Sequence, residues 1–360
     1  MKMILVTGSS GQIGSDLVVA LRRCYGPAYV VESGHRAAPS APDLSLPYEI
    51  FDVRDKRRLQ DLIEQYRIGT IYHLAGLLSA KGEQHPDRCW NVNINGLRNV
   101  LEAAKDYRLK VCWPSSIAVF GPHTPKVNTP QTTVEDPSTL YGVTKVAGEL
   151  LCRYYAQQFG VDVRSLRLPG IISHRTPPGG GTTDFAVEIF YAALRRGAYT
   201  CFVRPETRLP MMYMLDTIRA ILDLMQANPS SITVRSSYNI TAVSFSAEEL
   251  VAEIQTHLPN FTCRYAPDFR QAIADSWPSV IDDSRAREDW GWGHTCDLPY
   301  IVKDMLKNLS QRIAEKGRLT GSRGGMGEMG RMGRMEPSSR PLINGPRSKI
   351  QNPKSKIPDS

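Results

Sequence analysis

A glycine-rich turn near the start constrains this chain more than any other feature. Met3-Ile4-Leu5-Val6 reads as a buried strand, and Gly8-Ser9-Ser10-Gly11-Gln12-Ile13-Gly14 leads from it into a helix around 16–23. Gly8 and Gly11 let the backbone turn tightly and approach a pyrophosphate. The helix N-terminus offers that anion free N–H groups and a positive dipole end, and Gly14 lets helix pack on strand. Many glycine turns carry no ligand. The position between a first strand and a first helix is what points to a dinucleotide.

The following sequence keeps the same rhythm. Apolar runs at 29–31, 48–51, 71–74, 111–113 and 163–168 read as further strands, with helical spacing at 57–66, 92–106 and 141–159 between them. Strands separated by helices predict right-handed crossovers and a Rossmann-type, doubly wound parallel sheet of the α/β class. The dinucleotide-binding domain is expected over 1–170, with part of the later chain free to return to it. The rhythm changes after Pro169-Gly170. A Pro/Gly loop at 177–181, helices near 185–196 and 246–257, and Trp290-Gly291-Trp292 predict a smaller mixed α/β substrate lobe over 171–315.

Composition narrows the class. The chain has 360 residues, 41% hydrophobic and 22% charged, as a globular chain does. Without a run of roughly 18 apolar residues, neither a membrane span nor a secretory signal is expected. Seven scattered cysteines without a CxxC predict reduced thiols and a cytoplasmic setting. No metal site is expected from the dispersed histidines. The net charge of +8 is located in the last stretch: 316–360 holds ten basic and three acidic residues. The nearly neutral body gives no reason to expect nucleic acid or membrane. The glycine-rich tail is expected to be disordered, with weak polyanion adhesion as its functional alternative.

The spacing GxxGxxG resembles that of the short-chain dehydrogenase/reductase superfamily. The resemblance implies a Tyr-x-x-x-Lys pair on a later helix with a serine upstream, and Tyr141-Gly-Val-Thr-Lys145 fits it. Spacing of i,i+4 puts both side chains on one helical face. An ammonium there would lower the phenol's pKa and make Tyr141 a general base. Pro114-Ser115-Ser116-Ile117-Ala118-Val119-Phe120-Gly121 resembles the strand-five end of extended members such as sugar-nucleotide epimerases. That implies Ser116 as the third catalytic residue, with Ser115 less clearly placed. Asn93 matches a family asparagine that is either structural or part of a proton relay.

Longer stretches resemble the short-chain-type L-threonine 3-dehydrogenases. They include His73-Leu-Ala-Gly-Leu-Leu-Ser-Ala80, Pro178-Gly-Gly-Gly-Thr-Thr-Asp-Phe-Ala-Val187 and Thr207-Arg-Leu-Pro-Met-Met-Tyr213, within a resemblance spanning 2 to about 310. The resemblance implies oxidation of L-threonine with NAD and a homodimer. The cofactor would be held by Gly8, Gly11, Gln12, Ile13, Gly14, Asp52, Val53, Leu74, Ala75, Gly76, Tyr141, Lys145 and Ile171. Ser79, Ser116, Tyr141, Thr183 and Asp184 would hold the amino acid, with Asp184 a partner for its ammonium and Trp277 helping to exclude water. Loop capping by Thr183 and Asp184 and core packing by Trp277 are the bland alternatives. A nucleotide-sugar epimerase/dehydratase and a non-catalytic dinucleotide-binding regulator are the rival functions. At the end of strand two the acidic residue that favours NAD is expected near position 33, where Val31-Glu32-Ser33-Gly34-His35-Arg36 stands. Either Glu32 serves one place early, or Ser33 occupies the site with His35 and Arg36 nearby, an arrangement able to admit a 2′-phosphate.

Overall fold

A computed structural model describes residues 2–36 and 46–321. Twelve strands occur in that range: β1 Met3–Thr7, β2 Val30–Gly34, β3 Tyr48–Ile50, β4 Ile68–His73, β5 Lys110–Ser116, β6 Asp162–Leu168, β7 Gly170–Ile172, β8 Ala198–Cys201, β9 Arg208–Tyr213, β10 Tyr238–Asn239, β11 Val243–Ser246 and β12 Thr262–Tyr265. The main sheet has the order β10-β6-β5-β4-β1-β2-β3, and every neighbouring pair in it is parallel. The order reverses at β1, which opens a crevice at the carboxyl ends of β1 and β4 where a dinucleotide fits.

Side-chain alternation buries both faces of the sheet. Leu5, Val31, Ile71 and Trp113 pack under the helices Lys56–Tyr66, Gly96–Tyr107 and Leu140–Phe159. Ile4, Val6, Val30 and Tyr72 face the other way, against Leu17 and Leu21 of the helix Gln12–Tyr25 and Leu224 of the helix Met214–Gln226. The second strand starts one residue later than expected, because Pro27–Tyr29 close a short 3₁₀ turn. The expected helix over 92–106 is longer and irregular: Pro86–Trp90 runs through a π-helical stretch, Asn91–Asn95, into Gly96–Tyr107.

The lobe carries its own core around Phe185, Phe190, Met211 and Phe245, with a three-stranded sheet β11-β9-β7 and the pair β12-β8. Part of the later chain does return to the first domain: β10 pairs with β6, and Trp292 packs against the helix side of the main sheet rather than in the lobe. Among the described residues no helix is long and apolar enough to cross a membrane. The chain divides between Ala314 and Glu315, and the last helix is regular from Leu298 to Gly321. The tail expected to be disordered from 316 is therefore helical over its first six residues; the rest, 322–360, lies outside the described residues.

Candidate active site

The glycine turn is built to receive a phosphate. Gly8 has φ +70°, and a Cβ there would meet the Ala75 backbone nitrogen at 2.9 Å. A Cβ on Gly14 would lie 2.4 Å from the Gly8 carbonyl oxygen, so only glycine lets this helix rest on the turn. Gly11 caps the helix Gln12–Tyr25 without a side-chain acceptor, leaving its first N–H groups for a ligand. A cavity of about 220 Å³ opens beside this end and includes Gly8, Gly11, Asp52, Val53, Leu74, Ala75 and Gly76 in its lining. The residues present fit a dinucleotide. Gln12 reaches across to the Ile171 carbonyl at 3.3 Å and fixes β7 over the crevice.

Tyr141, Lys145 and Ser116 come together at the carboxyl end of β5. Thr139 caps the helix Leu140–Phe159 by accepting from the Gly142 amide, and Glu83 accepts from the Leu140 amide at 2.7 Å. Gly142 lets the helix start against the turn Ile117–Val119, since a Cβ there would sit 2.2 Å from the Ala118 carbonyl. Ser116 thus lies close enough to the Tyr141 hydroxyl to favour its phenolate, while its Oγ accepts from the Ala118 amide at 3.2 Å. Lys145 donates to the Pro114 carbonyl at 2.7 Å, with its ammonium 4.6 Å from the Trp113 ring centre and 5.5 Å from that of Tyr141.

Electrostatics run against the simplest expectation. Burial pushes the Tyr141 phenol up to about 12, and the Ser116 hydrogen bond only partly opposes this. Burial also brings Lys145 down to about 8, although the Glu149 carboxylate nearby favours its charge. In the protein alone, burial dominates the phenol's titration. His73, buried at the end of β4, accepts or donates at Nδ1 with the Thr7 hydroxyl at 2.9 Å, and Nε2 has no protein partner. Burial and then the Lys145 charge push this imidazole down to about 3.

The remaining candidates separate. Asn93 is a tie: its Oδ1 accepts from Leu77 N at 2.8 Å, while Nδ2 donates to the Leu77 carbonyl and to Thr144 Oγ1, each at 3.1 Å. Thr144 in turn donates to the Tyr141 carbonyl. Ser115 is buried and donates to Glu149, so it faces the core. Asp184 Oδ2 accepts the amides of Gly179, Gly180 and Gly181 at 2.7–2.8 Å, which shapes the glycine loop. Leu78, next to Ser79, lies against Gly179, and Thr183 packs over Gly170, so these stretches share one wall. Trp277 is buried in the lobe core. Sequence reading missed Thr7, Arg54, Leu77 and Arg88 in the cavity lining; for Arg54 the nearby Asp52 was a usable signal, and for the others none stood out.

The model of the NAD dependent epimerase/dehydratase family matches residues 4–241. The chain belongs to this family. A curated relative, an uncharacterised epimerase/dehydratase of Staphylococcus aureus, is 48% identical over 87% of this chain and 98% of its own length. Among solved structures, L-threonine dehydrogenase from Phytophthora infestans is 50% identical and covers 86% of this chain and 100% of its own, with a TM-score of 0.84. The holo form of a GalE-like L-threonine dehydrogenase from Cupriavidus necator is 49% identical over 85% of this chain and 99% of its own, with a TM-score of 0.83. As a member of the extended short-chain dehydrogenase/reductase group, this epimerase/dehydratase-family chain is an NAD-dependent enzyme, and its glycine cradle fits that cofactor.

Proposed function

We propose that the protein is an L-threonine 3-dehydrogenase, oxidising the β-hydroxyl of L-threonine with NAD⁺ to L-2-amino-3-oxobutanoate, NADH and a proton. The observation that carries this reading is Tyr141 held between Ser116 and Lys145, on a chain half identical to L-threonine dehydrogenases. Ser116 orients the substrate oxygen. Tyr141 accepts the hydroxyl proton as general base. Lys145, cationic below about pH 8, favours the phenolate and would hold the nicotinamide ribose. When bound, NAD⁺ supplies the hydride acceptor for the Cβ hydrogen. Gly8, Gly11, Gln12, Ile13 and Gly14 would hold the pyrophosphate, Asp52 and Val53 would flank the adenine, and Leu74, Ala75, Gly76 and Ile171 would line the rest of the groove.

Ser79 and Thr183 contact the amino acid from the shared wall. Three amides converge on Asp184 Oδ2, so the carboxylate's first task is to shape the loop, and Oδ1 is the atom for an ammonium. A homodimer is supported by the exposed Leu150, Tyr154 and Phe159 on one helix. The test is absorbance of the reduced nicotinamide with L-threonine, L-serine and UDP-galactose, each with NAD⁺. Net reduction with L-threonine alone is expected. No net reduction with threonine, together with conversion of the sugar nucleotide seen by product analysis, would reject the assignment.

A further inference from the structure

Among the described residues, no carboxylate stands at the end of β2 to bind both adenosine ribose hydroxyls and repel a phosphate there. Glu32 is turned to Arg22 at 2.8 Å and does not line the cavity. Ser33 lines it, but its hydroxyl donates to the Val6 carbonyl at 3.0 Å. Gly34 lines it without a side chain. A Cβ there would meet the Tyr48 hydroxyl at 2.6 Å, and that hydroxyl donates to the Arg36 carbonyl at 2.8 Å. A phenol therefore fills the space beside the strand end where an acid would stand.

The other charges in the lining add up the same way. Asp52 is the one carboxylate among the described lining residues. Arg54 neutralises it through Nε at 2.9 Å and Nη2 at 2.6 Å. His35 sits close enough to Asp52 to favour its charge, and Arg88 lines the same cavity. Among the described lining residues no carboxylate is left uncompensated, and Arg88 adds a guanidinium beyond the Asp52–Arg54 pair.

We propose that the adenosine end of the cavity admits a 2′-phosphate, so that the chain binds NADP(H) as well as NAD(H). Gly34 is the specificity-determining position, and the Arg54 guanidinium, with the His35 imidazole beside it, receives the phosphate. A carboxylate a few ångströms from a phosphate discriminates by roughly a hundredfold at a protein-like dielectric. Without it that barrier is absent, and the nearby cations replace repulsion with attraction.

The inference rests on the dinucleotide site and not on the alcohol oxidised, so it is tested by binding without substrate. Isothermal titration of the full chain with NADH and NADPH is expected to give dissociation constants within about tenfold of each other. Raising the salt is expected to weaken NADPH more than NADH, because the extra contact is ionic. Gly34→Asp combined with Tyr48→Phe, which removes the hydroxyl a Cβ would meet, should raise the NADPH constant at least about tenfold more than the NADH constant. Arg54→Gln leaves Asp52 uncompensated and should act in the same direction; it carries the test if the double variant does not fold. An unmodified chain that binds NADPH more than about tenfold weaker than NADH overturns the proposal. So do variants that weaken both cofactors by the same factor. Failure to oxidise threonine would reject the proposed activity and leave these titrations unaffected.

Discussion

Asn93→Ala separates the two roles that the family resemblance leaves open for this residue. In the structure three hydrogen bonds of the amide, at 2.8, 3.1 and 3.1 Å, tie the Leu77 peptide to Thr144 and, through Thr144, to the first turn of the Tyr141 helix, and a fourth, longer one reaches Cys89 Sγ at 3.5 Å. Asn93 is only 6% exposed, so water does not replace the lost amide freely. At about 1 kcal/mol net per bond, with a further penalty for leaving the Leu77 peptide unpaired, removal should cost roughly 3–5 kcal/mol. For a chain of this size each kcal/mol shifts Tm by about 2 °C, which gives a fall of roughly 6–10 °C. Scanning calorimetry reads the stability, and a pH series of kcat on the surviving folded enzyme reads the chemistry. The tie predicts a lowered Tm and a pH profile of unchanged shape. A Tm within about 2 °C of the parent, together with a reshaped pH profile, would refute the tie and restore the relay.

Three further outcomes follow from the same geometry. Tyr141→Phe should lose at least about a hundredfold in turnover with NADH binding largely retained, since the phosphate cradle lies elsewhere; steady-state rates and titration check both halves. Lys145→Met should abolish most turnover yet hold or raise Tm at pH 7. Burial holds this lysine at about 8, below its free value, so the folded state bears the cost of a buried cation below pH 8 and is relieved as pH rises toward the free value. The relief is of order 1–3 kcal/mol and should shrink by pH 10; a lowered Tm at pH 7 counts against it. A chain ending at Glu315 should keep activity and Tm, because Arg312 still donates to the His174 and Arg175 carbonyls; loss of either would place 316–360 within the functional body.

The parts legible in the sequence are those governed by short-range rules. The glycine turn was readable because only glycine takes φ +70° at Gly8 or permits the approach at Gly14, and the Tyr141/Lys145 pair because four residues are about one helical turn. The central strands were readable because an apolar run between helices has few other places to go. What stayed hidden depends on distant partners. A two-residue strand such as β10 joins the sheet only through its pairing with β6, which no local pattern announces. Glu32 shows how narrow the margin is. In a strand, neighbouring side chains face opposite ways, so one position decides whether a carboxylate meets a cofactor or, as here, Arg22. The electrostatic balance at Tyr141 was equally out of reach. Sequence names the ammonium and the phenol, but the burial that raises one pKa and lowers the other belongs to the helix packed against β5. With the phenol held high and the lysine held low, the protein alone leaves both groups near neutrality of charge above pH 8. Below pH 8 the lysine keeps its charge, so the proposed base works through the Lys145 ammonium and should lose that help as the lysine titrates.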